Sequence, residues 1–241
     1  MPDRLEPQLT PVRPPLTPDT VFAAAVTLAD EHGLEAVTMR RLAQTLGVQA
    51  MSLYHHVPGR DALLDGMVEH VFAEIEPPAL TAPWRQAMKR RAASAREALL
   101  RHPWAIALLD SRTQPGHVTL RHHDAVLGCL RHAGFSVVDA GHAFALLDAF
   151  IYGFVMQENA LPFETPAETQ EMASAMLAGL EDHYSYLAEV LKEQIMTGAH
   201  SFPSEFEFGL ALLLDGLEPF AGCSYPAATK PESGTTDGDQ Q

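Results

Sequence analysis

Three observations predict an all-α fold. Apolar residues recur at three- and four-residue spacing through most of residues 16–220, proline and glycine interrupt that pattern at short intervals, and no convincing run alternates apolar with polar as a strand would. About ten helices are expected, three forming a small N-terminal domain and the rest a larger C-terminal one.

The first helix carries a full set of start signals: Thr17 as N-cap, Pro18 at the first helical position, Asp19 at the positive dipole end, and Leu16 placed to staple onto Val21. Its apolar face is Val21, Phe22, Ala25, Leu28 and Ala29, and Gly33 is expected to end it in the left-handed conformation. A second helix is expected from Thr38 to Leu46, a third from Gln49 to His56, and a fourth from Arg60 to Glu76, after the Pro58-Gly59 break. Six more are expected near 83–101, 103–110, 117–132, 136–159, 167–196 (broken near Gly179) and 204–219, with Ser136 and Asp139 resembling a capping box. Residues 1–15, with five prolines, read as an extended arm, and 222–241, rich in Ser, Thr, Pro, Gly and Asp, as a disordered tail. Between them the expected domains are 16–62 and 63–221.

Composition excludes several classes. No stretch has 18 uninterrupted apolar residues, and the first thirty residues lack a secretory pattern, so the expected location is the cytoplasm. Cys129 and Cys223 lie far apart and indicate neither a disulfide framework nor a zinc site. The net charge of −15 is unevenly distributed: residues 1–75 carry 5 Lys+Arg against 10 Asp+Glu, residues 76–150 carry 9 against 6, and residues 151–241 carry 2 against 15. An acidic C-terminal third would suit a part that faces away from a polyanion. The N-terminal third is itself acidic, so any nucleic-acid contact there would involve few ion pairs and a shallow salt dependence.

The segment from Thr38 to Val57 has the build of a helix-turn-helix. Leu42, Leu46, Val48 and Leu53 are spaced to share a small core, Ala43 permits close crossing, and Gly47 permits the turn. The second helix then keeps an outer face of Gln49, Ala50, Ser52 and His55, with Met51 available for a thymine methyl.

Residues 17–75 resemble the DNA-binding domain of the TetR family of bacterial regulators. The resemblance rests on the run from Ala36 to Ala43, the turn Leu46-Gly47-Val48, Ser52-Leu53-Tyr54, and Arg60 leading into Leu63-Leu64. Trp84, the run Ala98 to Trp104, Gly134-Phe135-Ser136, and the segments starting at Phe206 and Gly216 resemble the C-terminal domain of the tetracycline-repressor-like branch. The resemblance implies a DNA-binding transcriptional regulator, a repressor released from a palindromic operator by a small molecule, and no enzyme activity. Carried over by position, its DNA contacts fall on Thr38, Met39, Arg40, Ala50, Met51, Ser52, Tyr54, His55, His56 and Arg60. Tyr54 is equally readable as a half-buried packing residue. In that branch a histidine on a short central helix holds drug-bound magnesium; the matching position here is Leu108 or Leu109, so metal-bound tetracycline is not the expected effector, and no metal or cofactor is expected.

Aromatic residues between 84 and 163 supply material for a ligand pocket, for which Trp84, Trp104, Leu108, Arg112, Phe144, Asp148 and Ile151 are the candidates. Arg121-His122-His123-Asp124 looks like a metal site, but adjacent histidines on a helix point apart, and a solvated face is the simpler reading. Residues 206–220 are apolar on nearly every side and need cover. A second copy of the chain is the expected cover, through Phe206, Leu210, Leu213, Leu214 and Leu217 packed with helix 136–159, where Gly141 and Gly153 allow close approach. Two alternatives stand beside the regulator: a ligand-binding dimer without DNA binding, and a helical hydrolase, for which no nucleophile elbow, phosphate loop or His-Glu-x-x-His pair is present.

Overall fold

In the computed structural model, residues 15–111, 114–160, 165–180, 183–198 and 201–222 are described, and among them there are eleven α-helices and no strand. The expected arm and tail fall almost wholly outside the described residues. Helix α1 spans Pro18–His32 and opens on a reciprocal capping box: Thr20 N–H donates to the Thr17 hydroxyl and Thr17 N–H to the Thr20 hydroxyl, at 3.2 and 2.8 Å. Gly33 ends it with φ +79° and ψ 160°, not in the expected left-handed helical conformation. The chain therefore turns out into a short 3₁₀ turn, Leu34–Ala36.

Helix α2 (Met39–Leu46) and helix α3 (Ala50–Tyr54) meet at Gly47, which is left-handed at φ 61°, ψ 38°. Its N–H donates to Gln44 C=O, and Val48 N–H donates back to Ala43 C=O at 2.9 Å. This pairing closes a Schellman motif and satisfies carbonyls that the end of α2 would leave open. Thr38 and Gln49 are N-caps, just outside the helices they were expected to begin, because each is extended.

Helix α4 (Arg60–Ala73) stops three residues short of Glu76, whose N–H instead donates to the Ser94 hydroxyl of helix α5 (Trp84–Arg101) at 2.9 Å. Helices α6 (Ala105–Ser111), α7 (His117–His132) and α8 (Val137–Asn159) follow. Ser136 caps α8, its hydroxyl donating to the Asp139 carboxylate while accepting Asp139 N–H. The long helix expected over 167–196 is three pieces: α9 (Pro166–Leu180), α10 (Ser185–Val190) and a π-turn, Leu191–Ile195. They pack chiefly on one another and leave Met172, Met176, Tyr186 and Val190 exposed. Helix α11 (Phe202–Leu217) closes the fold.

The core of the larger part forms where α8 packs on α5, α7 and α11. Ala140, Ala143, Leu147, Ile151 and Val155 give α8 a stripe at helical spacing, facing Ala92, Ala95 and Leu99 of the α5 stripe and Phe206, Leu210 and Leu214 from α11. By length and composition α8 is apolar enough to cross a membrane. Its buried Asp148, ion-paired to Arg91 of α5, fits it to this protein core. Helix α4 touches both halves of the molecule, packing on α1 on one side and on α6 and α7 on the other.

Candidate nucleic-acid interface and effector cavity

The α2–α3 hairpin is held from inside and open outside. Leu42 and Leu53 are fully buried, with Ala43 at 4% exposure, and Leu46 and Val48 pack against them. That packing turns the other side of α3 outward: Gln49, Met51, Tyr54 and His55 are exposed, and Ala50, Ser52 and His56 half-exposed. Met51 is 70% and Tyr54 44% exposed, so both present surface on the outer side of α3. On α2, Thr38 and Arg40 are exposed and Met39 is half-buried against the core. The Thr38 hydroxyl accepts Arg41 N–H at 3.2 Å, so Thr38 also stabilises the start of α2. Arg60 stands exposed at the first position of α4, where the positive end of the helix dipole favours a phosphate.

Behind this head lies a cavity of about 260 Å³ between α4, α7 and α8, lined by Asp65, Val68, Glu69, Phe72, Thr119, His123, Phe144, Asp148 and Tyr152, with Leu109 of α6 and the Gln114-Pro115-Gly116 turn. A second cavity of about 610 Å³ adjoins it, sharing Leu109 and Tyr152 and lined further by Pro103, Ile106, Ala107, Gly153, Met156 and Asn159. Mostly apolar walls with a few polar groups suit a small organic ligand.

Of the pocket residues expected from sequence, Phe144 and Asp148 line this space. Trp84, Trp104, Leu108 and Ile151 do not, because their bulk is spent elsewhere. Trp84 sets its ring edge-on to Phe135 with centroids 5.1 Å apart, the Trp104 indole donates to Asp30 at 2.7 Å, and Leu108 and Ile151 are buried in the core. Arg112 lies outside the described residues. Of the two candidate leucines on α6, Leu109 lines the cavity and Leu108 is buried in the core.

The polar chemistry of the wall was mostly invisible in the sequence. Arg91, 1% exposed, donates from Nε to His122 Nε2 at 3.1 Å and pairs with Asp148 at 2.5 Å; its Nη1 is buried without a partner. Accepting from Arg91 requires an unprotonated Nε2 on His122, so the ring proton sits on Nδ1. Burial, and then the Arg91 charge, push the His122 pKa down from 6.5 to about 4. His123, edge-on to Phe144, is lowered chiefly by burial as well, and burial with the Asp148 charge holds the Tyr152 hydroxyl protonated. His122 is thus buried and His123 turned into the cavity, where a solvated face was expected. Glu69 of α4 caps α7, accepting from Val118 N–H at 2.5 Å, Thr119 N–H at 3.0 Å and the Thr119 hydroxyl at 2.5 Å. Glu69 therefore ties the cavity wall to two helices at once.

The expected dimer residues need correction. Phe206, Leu210, Leu214 and Leu217 are buried within their own chain, Phe206 stacking on Phe150 at 5.3 Å, and Leu213 is half-buried. A helix apolar all round gives no sign of which side turns inward. The outward apolar side is Phe208 and Leu212, with Leu146 on α8. Gly141 and Gly153 have open space where a Cβ would stand, and Gly153 lines the larger cavity. The close approach of α8 and α11 occurs at Gly209, where a Cβ would come within 2.7 Å of the Phe150 ring.

An exposed second helix on a helix-turn-helix, joined to a helical body that carries a cavity, is the architecture of a DNA-binding regulator. Two family models match the chain: residues 21–67 match bacterial regulatory proteins of the tetR family, and residues 77–220 match the tetracyclin repressor-like C-terminal domain. The chain belongs to the tetR family of bacterial transcriptional regulators. It is 32% identical to an HTH-type transcriptional regulator of Saccharopolyspora erythraea, over 87% of this chain and 88% of that one. To the Escherichia coli tetracycline repressor protein class A from transposon 1721 it is 34% identical, over 84% and 90%. Among solved structures, the Streptomyces coelicolor TetR family protein ActR in complex with actinorhodin superposes with a TM-score of 0.72 at 27% identity, covering 87% of this chain and 98% of that one.

Proposed function

We propose that this regulator is a repressor that binds a palindromic operator in the cytoplasm as a two-fold homodimer and is released when a small organic effector occupies the paired cavities. One observation carries the reading: α4 lines the smaller cavity with Asp65, Val68, Glu69 and Phe72 while packing on α1 of the DNA-reading head. A ligand favouring a different tilt of α4 shifts the equilibrium between head positions, and so the separation of two reading helices. Matching neighbouring major grooves requires those helices roughly 34–36 Å apart. Phe208, Leu212 and Leu146, exposed and apolar, support a second copy as the cover for that face. The DNA contacts proposed are Thr38, Arg40, Gln49, Ala50, Met51, Ser52, Tyr54, His55, His56 and Arg60, with Met39 in support.

The test is a gel shift on the DNA immediately upstream of the protein's own coding sequence, followed by a thermal-shift screen of apolar metabolites and antibiotics that begins with actinorhodin. The reading expects a discrete shift with two chains per duplex, and at least one compound that raises the melting temperature and releases the DNA. Turnover of a compound without DNA binding would replace the reading with an enzyme.

A further inference from the structure

The seam between head and core carries a half-buried polar cluster drawn from α1, α4 and the α5–α6 junction. Asp30, in the last turn of α1, accepts from the Trp104 indole at 2.7 Å and lies 2.9 Å from His102 Nδ1. The other His102 ring nitrogen faces the Glu74 carboxylate at 3.2 Å, and Arg101 donates to the same carboxylate at 2.5 Å. His102 is 6% and Trp104 9% exposed, while the Asp30 and Glu74 side chains are just over a quarter exposed, so the cluster is shielded on its core side. Contacts of this kind are worth more than solvent-exposed pairs.

Its position matters more than its strength. Trp104 directly precedes α6, and Ile106, Ala107 and Leu109 of α6 form a wall of the cavities. Any displacement of α6 by an occupant must break the Trp104–Asp30 bond or carry α1 with it. We propose that the Asp30–Trp104–His102–Glu74 cluster is a latch that fixes the DNA-reading head on the core and passes the movement of α6 directly to α1. Asp30 and Trp104 are positioning residues in this scheme, which rests on the cavity as the effector site.

Hydrogen exchange of the full-length protein tests the latch without any ligand. Trp104→Phe removes the indole donor together with part of a buried ring, and Asp30→Asn removes the charge while keeping the side-chain volume. The latch predicts exchange about tenfold faster across α1, α2 and α3 in both variants, with α5 and α8 unchanged. Change confined to the last turn of α1 and the first of α6 would overturn it. To imitate occupancy, Gly153→Phe, and separately Ala107→Phe from the opposite wall, fills the larger cavity. Filling should speed exchange in the head when the latch is intact and add nothing in the Trp104→Phe background; additive effects would overturn the latch as the route. If filling leaves the head unchanged with the latch intact, the cavity reading fails, while the Trp104→Phe arm still decides whether the latch exists.

Discussion

Replacing Arg91 with methionine should be among the most damaging substitutions in the molecule, although Arg91 lies outside both the reading helix and the cavity wall. Its side chain is 1% exposed and that of its partner Asp148 12%, so both charges have left water. Methionine fills similar volume without a charge and, among the described residues, leaves Asp148 with only a long hydrogen bond from the Tyr152 hydroxyl, at 3.4 Å. Stranding a buried carboxylate in this way costs about 3–5 kcal/mol. For a chain of this size each kcal/mol moves the melting temperature by roughly 2–4 °C, so a fall on the order of 10 °C is expected. The assay is denaturation at pH 7 and fixed protein concentration, because the stability of the proposed dimer would depend on concentration. The paired variant Arg91→Met with Asp148→Leu should recover most of the loss, since removing both charges leaves nothing unpaired. A loss below about 1 kcal/mol in the single variant, or no recovery in the pair, would refute the view that this buried ion pair organises the core.

Gly47→Ala forces a Cβ into a left-handed residue and should cost about 1–2 kcal/mol, read by thermal melting, with DNA affinity falling because α3 loses its angle. Stability should also fall with acidity. The His122 pKa is about 4 in the folded protein against the ordinary 6.5, so below pH 6.5 the unfolded chain takes up the proton first. Stability is complete above pH 6.5 and declines until pH 4, by a total of about 3 kcal/mol, and denaturation of His122→Gln should show a correspondingly flatter pH dependence. DNA affinity should depend weakly on salt: with Arg40 and Arg60 as the phosphate contacts of each chain, the proposed dimer would make about four, giving a slope of log affinity against log salt of about −3.6, measurable by anisotropy titration.

Local chemistry made the head legible from sequence. Thr17, Pro18, Gly47 and the spacing of Leu42, Leu46, Val48 and Leu53 each favour one conformation for steric or hydrogen-bonding reasons, and they agree. The body was legible in its helices, α7 to the residue, but not in its polarity. A signal for Arg91 existed: Ala87, Met88, Arg91, Ala92, Ala95, Ala98 and Leu99 form one buried stripe, and a charge on such a stripe calls for a partner. Its partner, 57 residues away, had no local mark. The cavity was only partly legible: Phe144 and Asp148 border it as expected, while Trp84, Trp104, Leu108 and Ile151 pack elsewhere, and small residues such as Ala107 and Gly153, which carry no local mark, complete its border. Periodicity also could not say which side of α11 faces inward, since leucine and phenylalanine occur on both.

The central claim is that the outer side of α3 reads DNA. Anisotropy titration of a labelled duplex from upstream of the protein's own coding sequence, with the native chain and with Gln49, Met51, Tyr54 and His55 all changed to alanine, tests it most directly. These residues are solvent-exposed, so the variant should melt like the native chain and lose sequence-specific binding. Equal affinity in the two proteins, or no specific binding by the native chain, would contradict the claim.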